Sequence, residues 1–89
     1  IHELSPEDRA RLIEEIALAG ETLQRLFQPD KLNVGALGNI VPQLHVHVVA
    51  RFAGDAAWPG PVWGSGAAVP YTDEELEPIR GRLASAFAR

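Results

Sequence analysis

Ser5, Pro6 and Asp8 place a side-chain acceptor, a preset φ and an acidic group in the order that starts a helix. From there Leu12, Ile13, Ile16, Ala19, Leu23, Leu26 and Phe27 recur at steps of one, three and four, a single stripe at the 3.6-residue period. Pro29 stops the run, because the residue before a proline is pushed out of the helical region, and Asp30 supports a turn. The predicted helix, Pro6–Phe27, is roughly 33 Å long. In a chain of 89 residues so long an apolar stripe dictates the rest: a sheet or a second helix must cover it. A chain of this length buries only about 60 to 65% of the surface its unfolded form exposes, so the core is expected to be marginal. With 46% hydrophobic and 22% charged residues the composition is that of a globular domain and excludes a disordered tail or a fibre.

The remaining elements follow from periodicity and punctuation. Lys31–Gly35 has the length of a short strand entering a glycine-bounded turn that closes at Gly38. Gln43–Ala50 alternates with period two, placing Leu44, Val46 and Val48 on one face and Gln43, His45 and His47 on the other. From Ala53 to Pro70 the chain is rich in Gly, Ala and Pro and shows neither period, which predicts a long loop. Its two tryptophans, Trp58 and Trp63, argue that this loop lies on a surface and is not a solvated linker. Thr72 and Glu75 form a capping box for a last helix whose apolar face is Leu76, Ile79, Leu83 and Phe87, with Pro78 predicting a kink or a later start. Two strands make too small a sheet to stand alone, so further strands are expected from missing sequence or a second copy.

Composition narrows function. A formal charge of −4 argues against extended nucleic-acid binding, though a single phosphate group needs only a few local donors. No apolar run approaches the ~20 residues that cross a bilayer, and no export signal is visible. The absence of cysteine removes disulfides and thiolate metal sites, and fits a reducing, cytoplasmic compartment. The chain begins at Ile1 and contains no methionine, so it is expected to be part of something longer.

His45 and His47, at i and i+2, stand about 6.6 Å apart along a strand, close enough to share one ligand. That spacing leaves three readings open: two metal ligands, a nucleophile and its helper acting on a phosphate, or two polar residues on the wet face of a strand. The metal reading lacks a ready third ligand, since His2 is the only other histidine, and would have to recruit a carboxylate. For the phosphate reading, an imidazole largely neutral at pH 7 can attack phosphorus if its second ring nitrogen donates to a fixed acceptor, keeping the attacking lone pair free.

The stretch Gly38-Asn39-Ile40-Val41-Pro42-Gln43-Leu44-His45-Val46-His47-Val48-Val49-Ala50-Arg51, followed by Trp58-Pro59-Gly60, resembles the signature of the histidine triad (HIT) superfamily. In that signature, His-φ-His-φ-His-φ-φ with φ apolar, Gln43 here takes the place of the first histidine. The resemblance covers about the last two thirds of the chain, together with the helix before it. It implies an α+β fold with a mainly antiparallel sheet, a long helix and a C-terminal helix. Residues 1–89 would form one HIT-like domain, the C-terminal portion of a longer family domain without its N-terminal strands.

By the same resemblance His45 is the nucleophile, His47 supports it or the leaving group, and Gln43 donates to a phosphate oxygen without carrying charge, giving slower or altered chemistry. Asn33 and Asn39 match amide positions near the phosphate and the reacting group. Without the resemblance, each reads as readily as an edge-strand or turn residue. Gly38, like Gly35, either lets backbone N–H groups approach phosphate or simply turns the chain. Trp58 contributes to a dimer or approaches the partner's site; tryptophan in such a loop, Trp63 included, is more often a packing anchor. Arg51 is expected at the surface or beside a phosphate. The implied function is a nucleotide hydrolase or transferase acting at the α-phosphate through a covalent nucleotidyl-histidine. It would need no metal or cofactor for that step and would act as a homodimer. Two alternatives stand beside it: a non-catalytic nucleotide-binding or interaction protein, and a metal-dependent enzyme using His45, His47 and a carboxylate.

Overall fold

A computed structural model describes residues 1–66 and 69–88. It is α+β, in the order α1 (Pro6–Phe27), β1 (Lys31–Gly35), β2 (His47–Arg51) and α2 (Asp73–Phe87). The ends of α1 are where the sequence puts them. The Asp8 amide donates to Ser5 Oγ at 3.1 Å, and Gln28 closes the helix in the left-handed region with its N–H on the Gln24 carbonyl. Asp30 then does more than turn the chain. Its N–H donates to the Arg51 carbonyl at 2.9 Å and its carboxylate accepts from the Ala53 amide at 2.7 Å, tying the end of α1 to the end of β2.

β1 and β2 pair antiparallel, one residue to one, from Lys31 opposite Arg51 to Gly35 opposite His47. Leu32, Val48 and Ala50 share the face towards α1, where Leu32 reaches so close to the helix that a Cβ on Gly20 would lie 3.3 Å from its Cδ1. Asn33, Gly35, His47, Val49 and Arg51 share the other face by the alternation of the ladder.

The strand expected over Gln43–Ala50 is shorter and shifted, His47–Arg51. A strand extends only as far as its partner can hydrogen-bond, and β1 ends at Gly35. Residues 43–46 therefore run irregularly into β2 and do not continue the two-faced pattern. α2 starts at Asp73 without delay and continues through Pro78. Both halves of the Thr72/Glu75 capping box are formed, and the only helical bond Pro78 forgoes is to the carbonyl of Glu74, in the first turn.

The core is as thin as chain length predicts. Among the described residues no hydrophobic side chain is fully buried, while Thr22 and Arg51 are. Leu12, Ile16, Ala19, Leu23, Leu26 and Phe27 of the α1 stripe are half-buried. Ile13, one residue off that line, is 62% exposed. α2 lies against the end of α1, with the Arg82 guanidinium 4.7 Å from the Phe27 ring centroid and donating to the Leu26 carbonyl. The loop after β2 is a succession of turns, from Asp55 N–H on the Phe52 carbonyl to Ser65 N–H on Val62. No described helix is long and apolar enough to cross a membrane.

Removing the N-cap acceptor of α1 with Ser5→Ala is expected to lower stability by about 1 kcal/mol, read from the urea midpoint at constant slope. An unchanged midpoint would mean that the first turn of α1 adds nothing to the fold.

Candidate active site

Two groups of side chains occupy the sheet end and the face turned away from α1. The first surrounds the histidines. His45 sits in the irregular stretch before β2, where its Nδ1 lies 2.8 Å from the backbone carbonyl oxygen of Gln43. A carbonyl only accepts, so in the neutral ring Nδ1 carries the proton and Nε2 keeps its lone pair. His47, at the start of β2, stands edge-on to His45 with ring centroids 5.3 Å apart. The Trp63 ring packs against the other side of His47, 6.1 Å away. Gly35, paired with His47, makes room for it, since a Cβ there would lie 2.9 Å from Trp63 Cη2. His45 also lines two recesses. One of about 270 Å³ lies against Leu12, Glu15, Ile16 and Ala19 of α1, and one of about 380 Å³ includes Val41 and Gln43.

The second group is built on Arg51, which is 2% exposed, so that of the two places the sequence suggests for it, the surface is ruled out. Its Nε and Nη2 grip the two oxygens of Asp55 at 2.8 and 3.0 Å. Nη2 also donates to the Gly60 carbonyl at 2.7 Å, and Nη1 to Asn33 Oδ1 at 2.6 Å. Trp58 covers the guanidinium at 5.8 Å. Burial reverses the expectation because the Gly-rich loop folds back on the strand and brings its own counter-charge, four residues on from Arg51. The Arg51 hydrogen bonds, aided by the Phe52 amide and the arginine's charge, hold the Asp55 carboxyl well below the usual carboxylate range against the cost of burial. The Asp55 hydrogen bond likewise raises Arg51.

A HIT domain family model matches residues 1–54. The chain belongs to the histidine triad (HIT) family. Three solved structures are similar to this HIT domain. A histidine triad protein from Marinobacter aquaeolei VT8 is 47% identical, with a TM-score of 0.88 over 96% of this chain and 62% of its own. A HIT protein from Sinorhizobium meliloti 1021 is 48% identical, with a TM-score of 0.88 over 97% of this chain and 64% of its own. A histidine triad protein from Bradyrhizobium japonicum is 41% identical, with a TM-score of 0.91 over the same shares. This HIT chain thus spans 62 to 64% of the length of these relatives. No curated protein matches it.

Within the HIT domain the expected site residues divide. Gln43, His45 and His47 come together, though the contact seen for Gln43 is through its backbone. Asn33 and Trp58 belong to the arginine group. Gly38 and Asn39 lie exposed in the irregular segment between the strands. A Cβ on Gly38 would make only an ordinary 3.6 Å contact with the Val41 carbonyl oxygen. Sequence reasoning left Asp55 unremarked and gave Trp63 no place beside a histidine. The spacing of Asp55 four residues after Arg51 was the available signal for the first. Among the described residues no three of His, Cys, Asp and Glu converge as metal ligands.

Two outcomes are expected. Gly35→Ala should push the Trp63 ring off His47, shifting the Trp63 indole N–H and the His47 ring resonances in NMR spectra. Unmoved resonances would show that the contact tolerates a methyl group. The Asp55 carboxyl titrates lower folded than unfolded, where it is near about 3.9. Its pairing therefore stabilises fully above that value and is lost as pH falls below it. Asp55→Asn, which cannot ionise, should flatten the fall in stability below roughly pH 4, measured by urea denaturation at a series of pH values. An equally steep fall would place the acid sensitivity elsewhere.

Proposed function

We propose that the protein is a nucleotide hydrolase or transferase that passes a nucleotidyl group through His45. The observation that carries the reading is the Nδ1 hydrogen bond to the Gln43 carbonyl, which leaves Nε2 as a nucleophile with a fixed ring orientation. In the first step the Nε2 lone pair attacks the α-phosphorus, a P–N bond forms, and the phosphoanhydride, phosphoramidate or phosphoester bond to the leaving group breaks. The leaving group takes a proton from His47, a role supported by the edge-on contact of its ring with that of His45. In the second, water or an acceptor hydroxyl attacks phosphorus and gives its proton to His47, restoring it, while the P–N bond breaks and the electron pair returns to Nε2.

The glutamine at the first triad position bears on rate more than on competence. Its contribution to His45 is a main-chain carbonyl, which any residue supplies, while its side-chain amide can donate to a phosphate oxygen but cannot shuttle a proton. Asn33, Asn39, Gly38 and Trp58 complete the proposed substrate contacts. A cytoplasmic homodimer is part of the same proposal. Among the described residues both edges of the two-stranded sheet lack a partner, and Ile40 and Val41 stand exposed, Val41 in a recess shared with His45.

The test is intact mass spectrometry of the full-length protein quenched in alkali seconds after mixing with adenosine phosphoramidate, with His45→Ala alongside. An acid-labile adduct of one nucleotide on the parent and none on the variant is expected. No adduct and no product, with nucleotide binding still measurable, would replace this reading with that of a binding protein.

A further inference from the structure

We propose that Arg51, clamped by Asp55 and Gly60, is a positioning residue that sets the orientation of the Asn33 amide and so presents its N–H donors to the phosphoryl group at the histidines. The inference rests on the function proposed above and adds residues that lie away from the reacting atoms.

A guanidinium has five N–H donors and no acceptor. Three of its contacts, to both Asp55 oxygens and to the Gly60 carbonyl, fix its plane, and Trp58 covers it. What Arg51 then offers Asn33 is a donor alone, met by Oδ1 at 2.6 Å. The amide is therefore not free to flip. Turning the nitrogen inward would set N–H against N–H beside a buried cation, so the oxygen faces Arg51 and the NH2 group faces away from it.

The ladder decides what lies on the far side. Asn33 pairs with Val49, midway along β2 between Arg51 and His47, and all four residues share the face turned away from α1. His47 is one two-residue step from that pair, about 6.6 Å. Asn33 thus stands between the buried ion pair at one end of β2 and His47 at the other. A half-buried amide with a fixed sense supplies preorganised donors for charge developing on phosphoryl oxygens, which a freely turning amide does not. Asp55, through Arg51, is the remote anchor of that orientation.

The alternative is that Asn33 merely completes the hydrogen bonding of a structural arginine, and a double-mutant cycle separates the two. Parent, Asn33→Ala, Arg51→Lys and the double variant are compared for the rate of nucleotidyl-adduct formation from adenosine phosphoramidate, for affinity towards AMP by calorimetry, and for thermal midpoint. Lysine keeps the charge and loses the fork. Asn33→Ala should lower the adduct rate about tenfold or more, as loss of a hydrogen bond to a charged group does. Arg51→Lys should lower it comparably in the parent and not at all in the Asn33→Ala background, whatever its effect on the midpoint. Losses that multiply in the double variant, or an Asn33→Ala protein as fast as the parent, would overturn the proposal. If Arg51→Lys does not fold, Asp55→Asn takes its place in the cycle. A parent that forms no adduct overturns the catalytic reading by itself. The AMP affinities of the four proteins then decide the positioning role by the same non-additivity.

Discussion

A guanidinium that is 2% exposed in a chain without one fully buried hydrophobic side chain among its described residues must have its charge answered locally. Asp55 answers it with both oxygens, and the consequence is architectural. To deliver that carboxylate, the chain leaving β2 must turn at once. To deliver the Gly60 carbonyl it must come back over the strand, which lays Trp58 on the cation and carries the chain on towards Val62 and Trp63. The Gly- and Pro-rich loop, structureless by periodicity, is thereby folded onto the sheet by charge and hydrogen bonds more than by apolar burial. Trp63, farther along the same loop, packs against His47.

The two clusters on that face share one strand. Arg51 ends β2 and His47 begins it, so the pairing that fixes one fixes the other. β1 contributes a residue to each: Asn33 to the arginine and Gly35, by its missing side chain, to the tryptophan beside the histidine. Against α1 the same two strands present Leu32, Val48 and Ala50, which gives the helix a surface and leaves the polar face for the site. That division of faces explains how a small two-stranded ladder holds both a helix and a candidate active site. The relatives of known structure are longer, and this chain supplies 62 to 64% of their length.

Local signals read well wherever the physics is local. Ser5, Pro6 and Pro29 bound α1, and Thr72 with Glu75 starts α2, because caps and prolines act within one turn of the residue that carries them. The alternation of Gln43–Ala50 misled at its first half. Periodicity records which side chains a strand would present, and only a hydrogen-bonding partner decides where a strand exists. His45 was legible as a candidate nucleophile, and the need for an acceptor on its second nitrogen was a chemical requirement. The identity of that acceptor, the main-chain carbonyl of Gln43, leaves no trace in side-chain pattern.

By itself, then, the sequence determined the helices, the α+β class, a thin core and a histidine pair of HIT type. All of these follow from interactions between residues near in the chain or from motifs written in contiguous letters. Tertiary structure alone decided that Arg51 is buried, that Asp55 neutralises it, that Asn33 is bound to it across 18 residues and that Trp63 flanks His47. Those contacts join positions whose spacing is set by how a loop closes. Closure depends on the pairing register and on the cost of an unanswered buried charge, and neither is a property of any one segment.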